Sequence, residues 1–347
     1  MTTRLHAIDA GYDIVHARML DRFPELVVDL GGDPALFSAL GHTDWETHSS
    51  DRPAITYREF FRRLEDAARI LACPDFGMRL AARQNAIGIF GPLGQVMRNS
   101  RNFGEALDYV SKHAYAHSLA ARVWLEPVDG GGSVFSGHDI LLDGAGDRQQ
   151  AIEHILLAGH LSAMELTAGR ARARKVHFRH EPVSGFRTYR RYFGCDVVFG
   201  EAADGITFCE TDLAAPIETP DERAFKEMTA YIEERFTQRT PPVHAQVRAA
   251  IVRLIGSGNC STDQVASALC LHIRTLHRRL KEEGTSFRSL KDDVRRNLLR
   301  YYLQRTDLDL STISEKLGFA EQSVMSRFCQ RWLCTSPSML RTRLRRS

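Results

Sequence analysis

A group of basic and polar side chains lies close together in the C-terminal third of the 347-residue chain. Within residues 273–281, polar and basic side chains alternate with apolar ones, and they are Arg274, Thr275, His277, Arg278 and Lys281. Arginine can donate two hydrogen bonds to the edge of a guanine, and threonine can meet a base edge or a phosphate. In a helix these side chains lie opposite Ile273, Leu276 and Leu280, which are predicted to face inward. The pattern predicts a helix that reads the major groove of DNA.

The preceding segment supplies the helix that would position this reader. Ser261, followed three residues later by Gln264, predicts a capping box and therefore the start of a helix. Ala266 is small enough for two helices to approach closely, and residues 270–272 form the turn. A short helix, a tight turn and an outward basic helix make a helix-turn-helix motif. For this segment alone, the alternative is an ordinary helical hairpin with a solvated face.

The same pattern recurs further along the chain. Residues 311–317 predict a short helix, Gly318 a turn with positive φ, and residues 321–332 a second helix. The outward polar side chains of this second helix are predicted to be Gln322, Ser323, Ser326 and Arg327. Two such motifs in succession favour DNA binding over the helical hairpin.

Residues 287–304 join the two motifs with the apolar spacing of one continuous helix. At 1.5 Å per residue this helix spans about 27 Å, which predicts recognition helices about 34 Å apart, roughly one turn of B-DNA. Two readers at that separation can enter successive major grooves on one face of the duplex. Arg278, Arg295 and Arg331 are candidates for phosphate anchors, which would strengthen binding to all DNA sequences alike.

The distribution of charge agrees with this interpretation. The chain carries a formal net charge of +3, but residues 245–347 hold 19 Lys and Arg against 9 Asp and Glu. This local excess of +10 leaves −7 on the remaining residues. A basic third attached to a mildly acidic body favours contact with a polyanion, although composition alone fits a basic solvated surface equally well.

From residue 261 to residue 345 the chain resembles the DNA-binding domain of the AraC/XylS family of transcription regulators. The matching positions run in order along both motifs: residues 274–287, Val294, Arg295, Ile313, residues 317–319, Ser323, Ser326, Arg327, Arg331, Trp332, Ser336 and Pro337. The resemblance implies two motifs joined by a linker helix, in a protein that usually activates transcription through contact with RNA polymerase. The departures from the family pattern lie mostly in the second motif, and they are Cys270, Ser314, Met325, Phe328, Cys329 and Cys334.

Helical and strand patterns are mixed in the N-terminal region, which predicts an α+β domain. Apolar spacing over residues 57–71 and an N-cap at Asn102 predict two of its helices. Gly-rich residues 129–132 predict the turn of a hairpin, and residues 196–199 with 205–209 predict a second hairpin. The predicted domains are an α+β effector-binding and dimerisation domain (1–218), a polar helix with a Pro-rich linker (219–244), and an all-helical DNA-binding domain (245–347).

The N-terminal region also resembles, more weakly, the effector domain of AraC-type regulators of ornithine use and virulence. The similar segments are residues 88–94, 103–110, 176–178, 189–193, 196–200 and 213–217. This resemblance implies that the N-terminal domain binds a small effector.

Aromatic residues recur near the ends of predicted elements in this region, beside basic ones. They predict an apolar pocket with an arginine partner for a carboxylate, formed by Phe178, Arg187, Tyr189, Arg190, Phe193 and Phe199. The expected effector is a small acid or a fatty-acid-like amphiphile, with an amino-acid catabolite as the second choice. The alternative is that the aromatic side chains are core and the arginines a solvated face. The polar helix over residues 220–236 is expected to serve as a homodimer contact or as the relay to the DNA-binding domain.

The residue patterns do not predict an enzyme, a cofactor or a metal site. The seven cysteines are odd in number and none has a partner at C-x-x-C spacing, which argues against disulfides and zinc. His113 and His117 stand four residues apart without an obvious third ligand. The competing class is a DNA-repair methyltransferase with an AraC-like domain, but its Pro-Cys-His-Arg nucleophile has no counterpart here. Because no signal peptide or membrane-spanning apolar run is recognised, a cytoplasmic location is expected.

Overall fold

The computed structural model describes residues 12–38, 54–128, 132–142, 147–236, 241–258 and 260–346. The chain divides into two compact units, one over residues 9–240 and one formed chiefly by the residues from Pro241 onward. The first unit contains strands and helices, and the described part of the second is helical throughout. An α+β domain therefore precedes an all-helical domain, as the sequence predicts.

The elements of the N-terminal unit alternate irregularly between strand and helix. In chain order they are β1 (Ile14–His16), α1 (Phe23–Asp29), α2 (Ala35–Ser38), β2 (Ala54–Thr56), α3 (Tyr57–Ile70), α4 (Phe76–Arg83), α5 (Pro92–Asn99), α6 (Phe103–His113), β3 (Ala121–Val128), β4 (Ser133–Ile140), α7 (Gln149–Leu166), β5 (Lys175–His177), α8 (Phe186–Phe193), β6 (Asp196–Val198), β7 (Asp204–Cys209), α9 (Glu210–Leu213) and α10 (Glu222–Arg235). The short strands β1 and β2 pair with each other in an antiparallel ribbon.

The other five strands form one mixed sheet in the order β3-β4-β7-β5-β6. Strands β3 and β4 pair antiparallel, which confirms the first predicted hairpin. Strand β7 lies between β4 and β5 and is antiparallel to both. Strand β6 pairs with β5 in parallel and not with β7, so the second predicted hairpin is wrong. A parallel pair needs a crossover connection, and α8 supplies it between β5 and β6.

Capping residues and apolar faces explain the two helices that the sequence predicted. Thr56 accepts a hydrogen bond from the backbone N–H of Glu59 (3.1 Å) at the start of α3, which buries Phe60, Phe61, Leu64 and Ala67. Asn102 accepts one from the N–H of Glu105 (2.8 Å) at the start of α6, as predicted. Helix α7 is buried along most of its length and packs against α3 and α4, which makes it the central helix of this unit.

Helix α10 packs against α5 within the N-terminal unit. Ile232 is fully buried in a cluster with Leu93 and Val96 of α5. Phe225, Met228 and Tyr231 of α10 are partly buried against the same cluster. The apolar side of this otherwise charged helix is thus used inside the unit.

The C-terminal unit contains seven described α-helices, and its apolar residues form two core clusters. The helices are α11 (Val243–Leu254), α12 (Thr262–Ala268), α13 (Ile273–Glu282), α14 (Phe287–Arg305), α15 (Leu310–Lys316), α16 (Gln322–Leu333) and α17 (Pro337–Arg346). The first cluster joins α11, α12, α13 and the start of α14, and the second joins the end of α14 with α15, α16 and α17.

Helix α14 is the element shared by the two cores. Leu290 and Val294 are buried in the first cluster, and Leu299 and Leu303 in the second. Leu298 packs against both clusters. Helix α14 has 19 residues, so it spans about 28 Å. The linker helix is therefore present, and it carries one motif on each half.

Candidate nucleic-acid interface and ligand cavity

The first helix-turn-helix motif consists of α12 and α13. Ser261 Oγ accepts a hydrogen bond from the Gln264 N–H (3.2 Å), and the Gln264 side chain accepts one from the Ser261 N–H (3.2 Å), which confirms the capping box. The turn contains Cys270 in the left-handed region, with φ 51°. His272 Nδ1 then accepts a hydrogen bond from the Arg274 N–H (3.3 Å) and caps α13.

Helix α13 presents a basic face to solvent. Leu276 and Leu280 are fully buried, whereas the side chains predicted to contact DNA are exposed or, for Thr275, half-buried: Arg274, Thr275, His277, Arg278 and Lys281. Ile273 was predicted to face inward but is 36% exposed, so that prediction is wrong. Helical side chains lean toward the N-terminus of their helix, and at the first residue this carries the side chain past the packed face.

The two arginines predicted at the start of this face differ in their surroundings. Arg278 donates a hydrogen bond to Glu282 (2.8 Å), and both side chains are more than half exposed. No described side chain pairs with Arg274. An exposed ion pair contributes little free energy, so Arg278 can exchange Glu282 for a phosphate at small cost.

The second motif consists of α15 and α16. Asp309 accepts a hydrogen bond from the Thr312 N–H (2.7 Å) and caps α15. Ile313 and Leu317 are fully buried in the second core. Gly318 follows with φ 61°, in the left-handed turn that the sequence predicts.

Helix α16 carries the second set of predicted DNA-contacting residues. All of them are exposed except Ser326, which is half-buried. They are Gln322, Ser323, Ser326, Arg327 and Arg331. Met325 and Cys329, two of the departures from the family pattern, are fully buried in the second core. Cys334, a third departure, ends α16 in the left-handed region with φ 53°. These three departures thus concern packing and the helix end, and not the exposed polar face.

Arg295 of α14 contacts the turn of the second motif. Its Nε donates a hydrogen bond to the Leu317 carbonyl oxygen (3.0 Å) and its Nη2 donates to that of Gly318 (2.6 Å). The guanidinium also lies 4.1 Å from the centroid of the Phe319 ring. Partial burial lowers the pKa of Arg295, with the nearby Asp292 and Cys260 acting in the opposite direction. Arg295, predicted as a phosphate anchor, therefore has an internal positioning role that sequence reasoning missed.

Trp332 of α16 contacts two arginines, Arg296 of α14 and its own neighbour Arg331. The guanidinium of Arg296 lies 4.9 Å from the Trp332 ring centroid, and that of Arg331 lies 5.4 Å from it. Trp332 is 37% exposed, so this cation–π group lies at the surface of the unit. Arg331 is thus held near the end of α16 and remains exposed for a phosphate.

The residues predicted to bind the effector form two separate environments. Phe178, Tyr189 and Phe193 are buried, and Phe178 stacks on the half-buried Phe199 with ring centroids 5.5 Å apart. Arg187 and Arg190 are exposed. This packing is that of the alternative stated above, in which the aromatic side chains are core and the arginines solvated.

Tyr189 has a partner inside this core. Its hydroxyl donates a 2.5 Å hydrogen bond to Glu153 Oε1, and both side chains are buried. Burial raises the pKa of Glu153 to about 8, against the lowering effect of the Tyr189 hydrogen bond. Tyr189 therefore belongs to the core of the N-terminal unit.

A cavity of about 110 Å³ lies elsewhere in the N-terminal unit. Its wall is largely aliphatic and aromatic and includes Phe90, Leu93, Leu107, Ile155, Ile206 and Phe208. None of the six residues predicted to bind the effector lines it, and the described residues that do line it include no Lys, Arg, Asp or Glu. Lining residues come from distant parts of the chain, which explains why sequence patterns missed this site.

Two histidines supply most of the polarity of the cavity wall. His117 and His138 both line it, and neither imidazole hydrogen-bonds to another described residue. Burial lowers the pKa of His138 to about 4, with the neighbouring Asp139 and Asp204 acting in the opposite direction. Burial also lowers the pKa of His117 to about 4. Both rings are therefore neutral at pH 7.

Gly159 is the signal from which the cavity could have been suspected. It lies within α7, where a glycine is unfavourable relative to alanine. A Cβ at this position would meet a single neighbour within 4 Å, Ile206 Cδ1 at 3.9 Å. The missing side chain leaves open space at the cavity wall.

The other predicted features have local explanations. His113 stacks on Tyr109 with ring centroids 3.9 Å apart, whereas His117 lines the cavity. The two histidines therefore lie in different environments. In the described part of the chain, no group of three potential ligands is arranged to hold a metal ion. None of the helices described has the length and apolarity to cross a membrane.

Two family models match the chain. Residues 32–217 match the arabinose-binding domain of AraC transcription regulator, N-terminal, and residues 265–343 match a helix-turn-helix domain. The first match covers more than half of the chain.

Similar proteins are transcription regulators rather than enzymes. The chain is 30% identical to the HTH-type transcriptional regulator VirS of Mycobacterium tuberculosis over 94% of this chain and 96% of that protein. It is 24% identical to the ornithine utilization regulator of Pseudomonas aeruginosa over 94% of this chain and 96% of that protein. Over a shorter stretch, 24% of this chain and 29% of the relative, it is 35% identical to the urease operon transcriptional activator of Escherichia coli.

Proposed function

Since the chain belongs to the AraC family of transcription regulators, we propose that it is an effector-controlled activator that contacts DNA with both helix-turn-helix motifs. The observation that carries this proposal is the pair of exposed polar helices, α13 and α16, mounted on opposite halves of α14. One long helix shared by both cores fixes the two readers relative to each other. Successive major grooves on one face of a duplex are the matching target.

The two recognition helices are assigned different contacts: α13 reads a base and anchors a phosphate, and α16 anchors a phosphate. Arg274, which has no described partner, is assigned to a guanine edge together with Thr275. Arg278 and Arg331 are assigned to phosphates. Arg278 can exchange its exposed partner Glu282 for a phosphate, and Arg331 is held beside Trp332. Lys281 adds a further positive charge to the same face as Arg278.

Activation of transcription is inferred from a relative, and its control by an effector from the packing of α10 in the N-terminal unit. The urease operon relative is named an activator, which supports activation. Contact with RNA polymerase is what the resemblance to the AraC/XylS family implies. The apolar side of α10 is used against α5, so we assign this helix to the relay and not to a dimer contact. An effector held in the N-terminal unit would then act on polymerase contact or DNA affinity by binding two arrangements of the protein unequally.

The experiment is a footprint of the full-length protein on a DNA site selected from a random library. Two protected major-groove segments about one helical turn apart are expected, with strong dependence on salt because the C-terminal residues carry a large positive excess. Transcription in vitro with purified RNA polymerase then measures activation from the same site. A footprint confined to one groove segment would refute the two-motif assignment, and a fall in transcript would refute activation.

A further inference from the structure

The chemistry of the cavity wall in the N-terminal unit restricts what can bind there. The polar side chains among its lining residues are Tyr57, His117, Ser136 and His138, and the rest of the wall is apolar. A sugar carries a hydroxyl on almost every carbon, and each hydroxyl buried without a partner costs free energy. The wall therefore disfavours a carbohydrate.

The volume of the cavity sets the size of the ligand. An apolar cavity of about 150 Å³ in another protein accommodates benzene, and the cavity here measures about 110 Å³. A ligand the size of one aromatic ring or a short alkyl chain fits this space, and a long acyl chain does not.

The charge state of the wall sets the charge of the ligand. Both imidazoles are neutral at pH 7, since burial lowers the pKa of each to about 4. No described lining residue is a Lys or Arg that could pair with a carboxylate. An ionised acid in this cavity would be a buried charge without a partner, which is strongly unfavourable. The unpaired imidazoles can instead hydrogen-bond to a hydroxyl.

We propose that this cavity is the effector site and that it takes a small, uncharged, apolar molecule bearing a single hydroxyl group that hydrogen-bonds to His117 or His138. The molecule is of the phenol or short-chain alcohol class. Binding to the cavity stands by itself, whereas its effect on transcription rests on the function proposed above.

The position of the cavity also explains how a bound ligand can affect helix α10. Phe90 and Leu93 line the cavity and belong to the cluster that holds Ile232 of α10. A ligand that moves either side chain therefore alters the packing of α10. In the sequence, α10 is the last helix before the C-terminal unit begins at Pro241.

The first test measures the melting temperature of the full-length protein at pH 7.5 with phenol, 1-hexanol, benzoate and L-arabinose. Phenol or 1-hexanol at ten times its Kd is expected to raise the melting temperature by about 3–6 °C. Benzoate and arabinose are expected to have no effect. A rise produced only by benzoate or arabinose would overturn the ligand class, and no rise with any probe would overturn the site.

A cavity-filling variant shows whether the probes bind at this place. Gly159→Leu directs a side chain into the open space beside Ile206 and is expected to abolish the shift without lowering the melting temperature of the free protein. The control is Glu165→Leu, which adds the same side chain at a partly exposed position of the same helix and should keep the shift. Gly159→Ala is the milder variant if leucine does not fit. An unchanged shift in the Gly159 variants would place the probes elsewhere and overturn the site.

The second test measures coupling by fluorescence anisotropy on the selected DNA site. The bound probe is expected to change the Kd for DNA by about 5-fold or more. Ile232→Ala, or the milder Met228→Ala, should keep the thermal shift and lose this change, whereas the exposed Lys226→Ala should keep both. If the bound probe still changes the Kd for DNA in the Ile232 and Met228 variants, α10 is not the relay. The affinity for DNA in the absence of any probe tests the function proposed above. Failure of that function can therefore be distinguished from failure of the effector site or of the relay.

Discussion

The two helix-turn-helix motifs make the same left-handed turn with different residues. Cys270 forms it in the first motif with φ 51°, and Gly318 in the second with φ 61°. Cys270 is exposed, so its side chain has room in solvent. At Gly318 a Cβ would lie 2.3 Å from the carbonyl oxygen of Ile255. The same backbone conformation therefore tolerates a side chain in one motif and excludes it in the other.

We call the second turn docked, because its backbone at Gly318 lies close to Ile255, and the first turn free, because its left-handed residue Cys270 is exposed. Ile255 belongs to the first core cluster, and its carbonyl approaches Gly318 closely. Arg295 donates hydrogen bonds to the carbonyl oxygens of Leu317 and Gly318 in the same turn. These contacts add to the shared helix α14 in fixing the two motifs relative to each other. In the first turn Leu271 packs against the first core, whereas the left-handed residue Cys270 is exposed.

The largest expected effect compares the two recognition helices directly. Arg274→Ala with Arg278→Ala is expected to weaken binding to the selected site by about 2–5 kcal/mol, since it removes a base contact and a phosphate contact. Arg327→Ala with Arg331→Ala should weaken binding less and leave the sequence preference intact. Fluorescence anisotropy on the selected site and on scrambled DNA separates the two effects.

The matched control is Arg223→Ala, which removes an exposed arginine of α10 and should leave DNA affinity unchanged. Equal affinity for the wild type and the Arg274, Arg278 double variant would show that α13 does not read DNA. A loss of sequence preference confined to the second pair would reverse the assignment of the two motifs.

Substitution of the docked turn is expected to be the next largest effect. Gly318→Ala combines left-handed strain with a clash against Ile255, and it should lower the free energy of unfolding of the C-terminal unit by about 2–4 kcal/mol. Urea unfolding of the full-length protein measures the change, followed by Trp332 fluorescence in a background in which the other two tryptophans are replaced, Trp45→Phe and Trp124→Phe. Cys270→Ala is the control in the free turn, and a loss as large as that of Gly318→Ala would contradict the comparison.

Arg295 distinguishes positioning from phosphate anchoring. Arg295→Lys keeps the charge but loses the two directed hydrogen bonds, so we expect DNA affinity to fall by about 1–2 kcal/mol. The slope of log K against log salt should stay unchanged for Arg295→Met if the residue only positions the second motif. A slope smaller by about 1 would instead identify a phosphate contact. Arg288→Met, at an exposed position of the same helix, is the control for charge.

Local signals predicted the features that depend on a few neighbouring residues. The capping pairs Ser261–Gln264 and Asn102–Glu105 and the turn at Gly318 were identified because caps and left-handed turns are determined within one or two helical turns. Apolar spacing likewise placed the linker helix, and the structure extends it by one residue to Arg305. The DNA-binding unit is composed mostly of such features.

Features that depend on distant partners were not predictable in this way. Strand β6 was given the wrong partner because pairing in the sheet depends on β5, which precedes α8 in the chain. The aromatic residues around Tyr189 resembled a pocket by composition, yet they pack on one another and on Glu153. The cavity brings together residues as far apart in sequence as Leu93 and Phe208, and the role of Arg295 needs the turn at Gly318.

The smallest expected effect concerns the free turn itself. Cys270 pays a strain penalty in the left-handed region that glycine does not, whereas glycine gains more entropy in the unfolded chain. Because these effects oppose each other and the side chain of Cys270 is exposed, Cys270→Gly should change the free energy of unfolding by less than about 1 kcal/mol. DNA affinity should stay the same, since the side chain of Cys270 is exposed and no described residue forms a hydrogen bond or ion pair with it. Urea unfolding and anisotropy on the same samples check both values. A large loss of either would mean that the side chain of Cys270 has a partner on DNA or in the folded protein, and the first turn would then be as constrained as the second.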